Sequence, residues 1–261
     1  MKLVATLTML SILANSMVCA QGTSGPSMPK TGPALDDLRA VAPGLGKFAT
    51  STVAELWKRP GLAARDRSIA TLAVLITRNQ SVDLGDEIAR ALDNGLEPKE
   101  VAELITHLAF YAGWSNAMAA VAAAKPVFAA YKVDAGQLPP ASPQPLPLDE
   151  AGEAARSARV SEQFGAIAPG VVQNTTDVLF KDLWLRPDLA PRDRSLVTVS
   201  ALVASGQVAQ IPYHLNRAMD NGLTRVEVGE VLTHLAFYTG WPNVFTALPI
   251  VKDVIEKRAA R

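Results

Sequence analysis

The chain has 261 residues, nearly half of them apolar, enough to bury the core of one large or two small domains. Its 25 basic residues balance 25 acidic ones with no long basic run, so neither nucleic acid nor an anionic membrane surface is an expected partner.

The N-terminus reads Met1-Lys2, an apolar stretch from Leu3 to Leu13, and then Val18-Cys19-Ala20 before Gln21. A positive start, a short apolar core and small residues before a cleavage point predict a signal peptide over residues 1–20. With Asn15 and Ser16 behind it, the apolar core is too short to span about 30 Å of hydrocarbon. The mature protein is therefore expected in the periplasm or outside the cell, without a membrane anchor. Cleavage after Ala20 also removes Cys19, the chain's one cysteine, and with it any thiol or disulfide chemistry. A lipoprotein retaining Cys19 is the alternative, although Ser16-Met17-Val18 is a poor lead-in for that processing.

Beyond the leader the chain repeats itself. Arg65-Asp66-Arg67-Ser68 returns as Arg192-Asp193-Arg194-Ser195, and Asp93-Asn94-Gly95-Leu96 as Asp220-Asn221-Gly222-Leu223. Thr106-His107-Leu108-Ala109-Phe110-Tyr111 returns as Thr233-His234-Leu235-Ala236-Phe237-Tyr238, all at an offset of 127. Upstream, Ala42-Pro43-Gly44-Leu45 parallels Ala168-Pro169-Gly170-Val171 and Leu56-Trp57 parallels Leu183-Trp184, with a one-residue slip between the two pairs. The expected organisation is a first module over 21–134, a proline-rich extended linker over 135–148, and a second module over 149–261.

Within each copy the signals are helical. Ile69–Ile76 and Leu196–Val203 are apolar on nearly every side, as suits a helix at the centre of a bundle. Asn94-Gly95 and Asn221-Gly222 predict helix stops, and Thr224-Arg225-Val226-Glu227 a capping box. In the first copy Pro98 stands at a first helical position, where its missing N–H is harmless. Alternating strand patterns are absent, so two all-α bundles of about five to six helices each are expected.

On the helix opened by Thr224, Glu230, His234 and Tyr238 are spaced four and four and share a stripe; Glu103, His107 and Tyr111 repeat it in the first copy. A partly buried histidine that merely fixes its glutamate and tyrosine neighbours is one reading of this stripe. The other is chemistry, because all three histidines of the chain, His107, His214 and His234, fall in this region of the repeats. His214 lies on the preceding helix, where the first copy carries Glu87. An antiparallel hairpin would set His214 against His234 and Tyr238 as a general acid or base in the second copy alone. The arginines Arg65, Arg67, Arg192 and Arg194 open the buried helices against the helix dipole, so they either bridge acidic residues or grip a substrate carboxylate. No His-x-x-x-His or His-Glu-x-x-His spacing exists, and a metal site is not expected.

The run Arg192-Asp193-Arg194-Ser195-Leu196, His214-Leu215, Ala218, Asn221-Gly222, Glu227, Glu230-Val231-Leu232 and Tyr238-x-Gly240-Trp241-Pro242 resembles the carboxymuconolactone decarboxylase family. The likeness extends to the first copy through Arg65, Glu100, Glu103, Tyr111, Gly113 and Trp114. The resemblance implies the alkylhydroperoxidase D-like helical fold, but not the peroxidase branch, which needs a Cys-x-x-Cys pair. It implies instead a cofactor-free lyase, decarboxylase or isomerase acting on a small carboxylated lactone or keto acid. Such chemistry needs a cationic or electrophilic site for enolate-like charge and an acid that delivers a proton to carbon. His214, which matches the family's characteristic histidine, would serve with His234, Glu230 and Tyr238, while Arg194, Arg192 and Trp241 would hold the substrate. The first-copy counterparts are Glu87, His107, Glu103, Tyr111 and Arg67, and Glu87 makes that copy a candidate for a degenerate site. The family's rings of single modules imply a trimer of this tandem chain. A non-catalytic periplasmic binding or assembly protein on the same fold is the alternative.

Overall fold

The computed structural model describes residues 33–260, so the leader expected over 1–20 lies outside the described residues. The first copy contributes α1 (Leu35–Val41), α2 (Pro43–Phe48), a π-type segment (Ala49–Val53), α3 (Ala54–Leu56), α4 (Ala64–Thr77), α5 (Leu84–Asp93), α6 (Pro98–Tyr111) and α7 (Trp114–Ala130). The second contributes α8 (Glu150–Phe164), α9 (Pro169–Asn174), a π-type segment (Thr175–Phe180), a short 3-10 turn (Leu183–Leu185), α10 (Pro191–Ala204), α11 (Ile211–Asp220), α12 (Arg225–Thr239) and α13 (Trp241–Ala259). The all-α reading and the two tandem helical copies are both observed, and no strand occurs among the described residues.

Local chemistry explains the element ends. Gly95 and Gly222 have positive φ, and each closes its helix with paired bonds: Gly95 N–H to Leu92 O and Leu96 N–H to Ala91 O, with Gly222 and Leu223 doing the same onto Met219 and Ala218. Thr224 Oγ1 accepts from the Glu227 N–H while Glu227 accepts from the Thr224 N–H, closing the capping box. The one-residue slip between the copies falls in the π-type segment, five residues long in the first copy and six in the second. A π turn absorbs an extra residue without breaking the helix, so the slip leaves the downstream register intact.

The two copies share one core. Helices α4 and α10 are buried from Asp66 to Ile76 and from Asp193 to Ala204, and they pack against each other at its centre. Each fully buried Ile, Leu or Val there is worth roughly 1.5–3 kcal/mol, which explains why these helices are apolar all round. Helix α6 of the first copy lies on α10 of the second, and α12 of the second lies on α4 of the first. The copies are thus interleaved by an approximate two-fold exchange, where two separate bundles would have kept each helix with its own repeat. An ion-pair cluster marks the exchange: Arg65 pairs with Asp193 and Glu100, and Arg192 with Asp66 and Glu227. Downstream of α7 the proline-rich run is extended and clipped in place, with Arg186 donating to the carbonyls of Pro140 and Ala141 and the Leu146 N–H donating to Leu185 O.

Candidate functional site

Each glutamate, histidine and tyrosine stripe meets the other copy. Glu103, fully buried on α6, accepts from Arg186 Nε and Nη2 at 2.9 and 2.7 Å and from Arg194 Nη2 at 3.1 Å. Arg194 Nη1 faces His107 Nδ1 at 3.3 Å, and His107 Nε2 lies 2.8 Å from Thr198 Oγ1. A guanidinium only donates, so His107 Nδ1 is the acceptor and Nε2 carries the proton. That proton points to Thr198 Oγ1, whose own proton goes to Arg194 O at 2.8 Å. The His107 ring stacks on Tyr111 with centroids 4.7 Å apart, and Tyr111 Oη accepts from Trp184 Nε1 at 2.8 Å. Glu103, His107 and Tyr111 come from the first copy; Trp184, Arg186, Arg194 and Thr198 come from the second.

The mirror set joins Glu230, His234 and Tyr238 of α12 to Trp57, Arg59, Arg67 and Thr71 of the first copy. Glu230 accepts from Arg59 Nη2 at 2.6 Å and Arg67 Nη2 at 3.2 Å, His234 Nε2 lies 2.8 Å from Thr71 Oγ1, and Trp57 Nε1 donates to Tyr238 Oη at 3.0 Å. The Arg59 hydrogen bond holds the Glu230 carboxyl below the usual carboxylate range.

The second-copy histidine expected beside His234 and Tyr238 is elsewhere. His214 on α11 stands edge-on to Tyr111 at 5.4 Å and nearly parallel to Trp184 at 6.0 Å, so it belongs to the site built on the first copy's stripe. It is Glu87 of the first copy that shares the other site with Tyr238. The hairpin assumption failed because α12 crosses onto α4, taking its stripe away from α11's own copy. Burial and the nearby Arg217 hold His214 down at about 4, and its Nδ1 is buried without a hydrogen-bond partner.

The arginines divide in the same way. Arg194 is fully buried with its donors turned to Glu103, His107 and a carbonyl, so it supports the site from behind and does not face a ligand. Arg67 holds Glu230 likewise. Arg192 is spent on Asp66, Asp193 and Glu227 at the junction of the copies, and the Asp66 hydrogen bond raises its pKa further. Trp241 is half exposed and packs edge-on to Phe237 at 4.9 Å. None of these replaces the group that the sequence reading missed, Arg217. Its guanidinium lies 4.3 Å over the Trp184 ring and 5.5 Å from that of Phe180, and its Nε is buried without a hydrogen-bond partner among the described residues. The signal was present: Arg90 and Arg217 match at the repeat offset, three residues after Glu87 and His214, hence on the same helical face.

The site as built is an aromatic cluster of Trp184, Phe180, Tyr111 and Tyr213 around one unpaired cation and one unpartnered imidazole nitrogen. Burial raises the Tyr111 phenol, keeping it a neutral hydrogen-bond donor. Such a set can bind a carboxylate on Arg217 and present two donors to neighbouring oxygen or carbon atoms. Two open clefts of about 640 and 590 Å³ lie away from His214, one between α8 and α9 and one along Gly61, Val226 and Glu230. Among the described residues no group of three His, Cys, Asp or Glu side chains is placed to hold a metal ion.

The sequence model of the carboxymuconolactone decarboxylase family matches residues 43–126 and again 169–253, together more than half of the chain. The chain belongs to the carboxymuconolactone decarboxylase family. Both matched stretches carry a full stripe, Glu103 to Tyr111 and Glu230 to Tyr238. Among relatives, the chain is similar to 4-carboxymuconolactone decarboxylase of Acinetobacter baylyi, 38% identical over 75 residues, which is 29% of this chain and 56% of that protein. It is also similar to nitrosuccinic acid decarboxylase of Metarhizium robertsii, 28% identical over 86 residues, 31% of this chain and 60% of that protein. The matches thus span little more than half the length of either relative.

The buried histidines also set an acid limit on the fold. Folded pKa values of about 4 for His214 and about 3 for His234, with His107 held well below the usual range by its burial, compare with about 6.5 in an unfolded chain. Below about pH 6.5 the unfolded state takes up protons that the folded state refuses, so stability is complete above that pH and falls as pH drops toward 4. Glu87, raised by burial, acts in the opposite sense, and ordinary carboxylates contribute only lower down. The urea midpoint is expected to drop between pH 7.5 and 5 by an amount equivalent to a few kcal/mol; an unchanged midpoint would show that the histidines are charged when folded.

Proposed function

We propose that the chain is a cofactor-free carbon–carbon lyase that decarboxylates a small carboxylated lactone or keto acid at the His214 site. One observation carries this reading: Arg217 is an unpaired guanidinium held against Trp184, next to an imidazole nitrogen of His214 that lacks a partner. In this mechanism Arg217 takes a substrate carboxylate. The bond to the departing carboxyl breaks, carbon dioxide leaves, and the electron pair delocalises toward a carbonyl oxygen that receives the Tyr111 hydroxyl hydrogen bond. A proton then reaches carbon from His214. That imidazole rests neutral near pH 7, and it takes up its proton when the anion arrives and offsets the charge of Arg217. The names of the two similar decarboxylases support the reaction class.

A screen of the protein from Gln21 onward against small lactone and keto diacids, following carbon dioxide and ultraviolet absorbance together, tests the proposal. His214→Ala is expected to cut turnover by roughly 10²–10⁴-fold. Arg217→Ala is expected to raise KM by roughly 10–100-fold, the worth of a charge-assisted hydrogen bond. Full activity in both variants would overturn the mechanism. A second reading, a periplasmic binding protein on this fold, draws on the same neutral His214, which has no resting proton to give; an acid that stabilises the protein yet is recovered unchanged would favour it. Export and assembly into a ring remain part of the proposal. The ring has support in matching exposed stripes, Trp114, Met118 and Val121 on α7 and Trp241, Phe245 and Leu248 on α13.

A further inference from the structure

The two sites share a frame but differ at one end of it. Trp57, Arg90 and Tyr238 repeat Trp184, Arg217 and Tyr111, and the Arg90 guanidinium lies 5.0 Å over the Trp57 ring as Arg217 does over Trp184. Where the second copy has Gln210, Tyr213 and His214, the first has Asp83, Asp86 and Glu87. The Glu87 side chain is nine-tenths buried, with Oε1 3.3 Å from Arg90 Nη1 and Oε2 buried without a hydrogen-bond partner. Arg217 has no such carboxylate, because His214 stands at that position.

We propose that Glu87 is a built-in occupant of the first site: its carboxylate takes the place at Arg90 that a ligand carboxylate takes at Arg217, so each chain binds one carboxylate and not two. The inference rests on the carboxylate-binding reading of the His214 site. The physical ground is charge. An anion approaching Arg90 meets a guanidinium already neutralised by Glu87, with Asp83 and Asp86 on the same helix start adding repulsion, whereas an anion approaching Arg217 meets an uncompensated cation on an aromatic wall. A substitution that merely erased an old site would have left an apolar side chain; a buried carboxylate with one unsatisfied oxygen is stable there only because Arg90 offsets it. Residue 87 is therefore the specificity determinant of the pair, closing one of two equivalent frames to anions.

Equilibrium dialysis of the full chain with radiolabelled succinate reads the stoichiometry directly. The unsubstituted protein is expected to bind one succinate per chain, and both Glu87→Gln, which keeps the shape, and Glu87→His, which copies the other site, to bind two. Arg217→Ala with Glu87 intact is expected to weaken binding of that one succinate by roughly 10–100-fold. Two succinates on the unsubstituted protein, or one on both Glu87 variants, would overturn the inference. If the unsubstituted protein binds none and the Glu87 variants bind one, the reading of the His214 site fails while the role of Glu87 stands. No binding by any of them overturns both.

Discussion

A chain cut to residues 149–261 is expected to lose its monomeric fold entirely, although it carries a complete family repeat. Alone it keeps α10, but the faces of α10 that pack on α4 and α6 would open to water, and α10 carries the fully buried Leu196, Val197 and Val203. Exposing such side chains costs roughly 1.5–3 kcal/mol apiece, so a few of them rival the roughly 5–15 kcal/mol that stabilises an ordinary domain. Arg194 would also lose Glu103 and His107, leaving a guanidinium with no counter-charge in what remains of the interior. The way out is pairing: two copies of the fragment, one supplying Glu230 and His234 to the other's α10, rebuild the exchange seen within one chain. Light scattering with far-ultraviolet circular dichroism decides. A helical dimer or an unfolded chain is the expected result, and a folded monomer would mean that the interleaving described above is dispensable.

Glu103→Ala is expected to destabilise the intact protein by about 3–5 kcal/mol, a large fraction of its stability. The carboxylate is fully buried and receives both Arg186 and Arg194, and removing it leaves Arg194, itself without exposure, as an unpaired buried charge. Burial already lowers the pKa of Arg194 and Glu103 opposes that effect, so the variant moves the balance further against the charged form. Glu230→Ala also strands a fully buried arginine, Arg67, but should cost less, because Glu230 and Arg59 are both partly exposed and water replaces some of what is lost. The two urea midpoints provide the comparison. Equal losses at the two positions, or a loss below 1 kcal/mol at Glu103, would contradict the assignment of this pair as the anchor between the copies.

Much of this was readable from the chain because the signals are local. The buried run Ile69–Ile76, the Asn94-Gly95 stop and the Thr224 box each depend on neighbours within a few residues, and each appears in the structure as the local rule requires. What periodicity does not encode is which copy covers a given face. Residues 101, 104 and 108 match 228, 231 and 235 in character, so the apolar face of α6 fits either long helix, and only the packed structure shows that it chose α10. The site was half legible for the same reason. His214, Tyr111 and the stripe glutamates were singled out, but pairing them within a copy placed His214 beside the wrong tyrosine. Arg194 drew attention as an arginine opening a buried helix, while Arg217 was marked only by its repeat match to Arg90 on the face of His214, and its missing acceptor shows only in the packed structure.

Interleaving also governs how such a gene can change. In most duplicated proteins one copy is free to drift while the other keeps the work. Here a mutation at Tyr111 or His107 strikes the site that bears His214, and one at Tyr238 or His234 strikes the site that bears Glu87. Neither half can decay alone, and the sharpest contrast in charge between the two ends lies at positions 83, 86 and 87 against 210, 213 and 214.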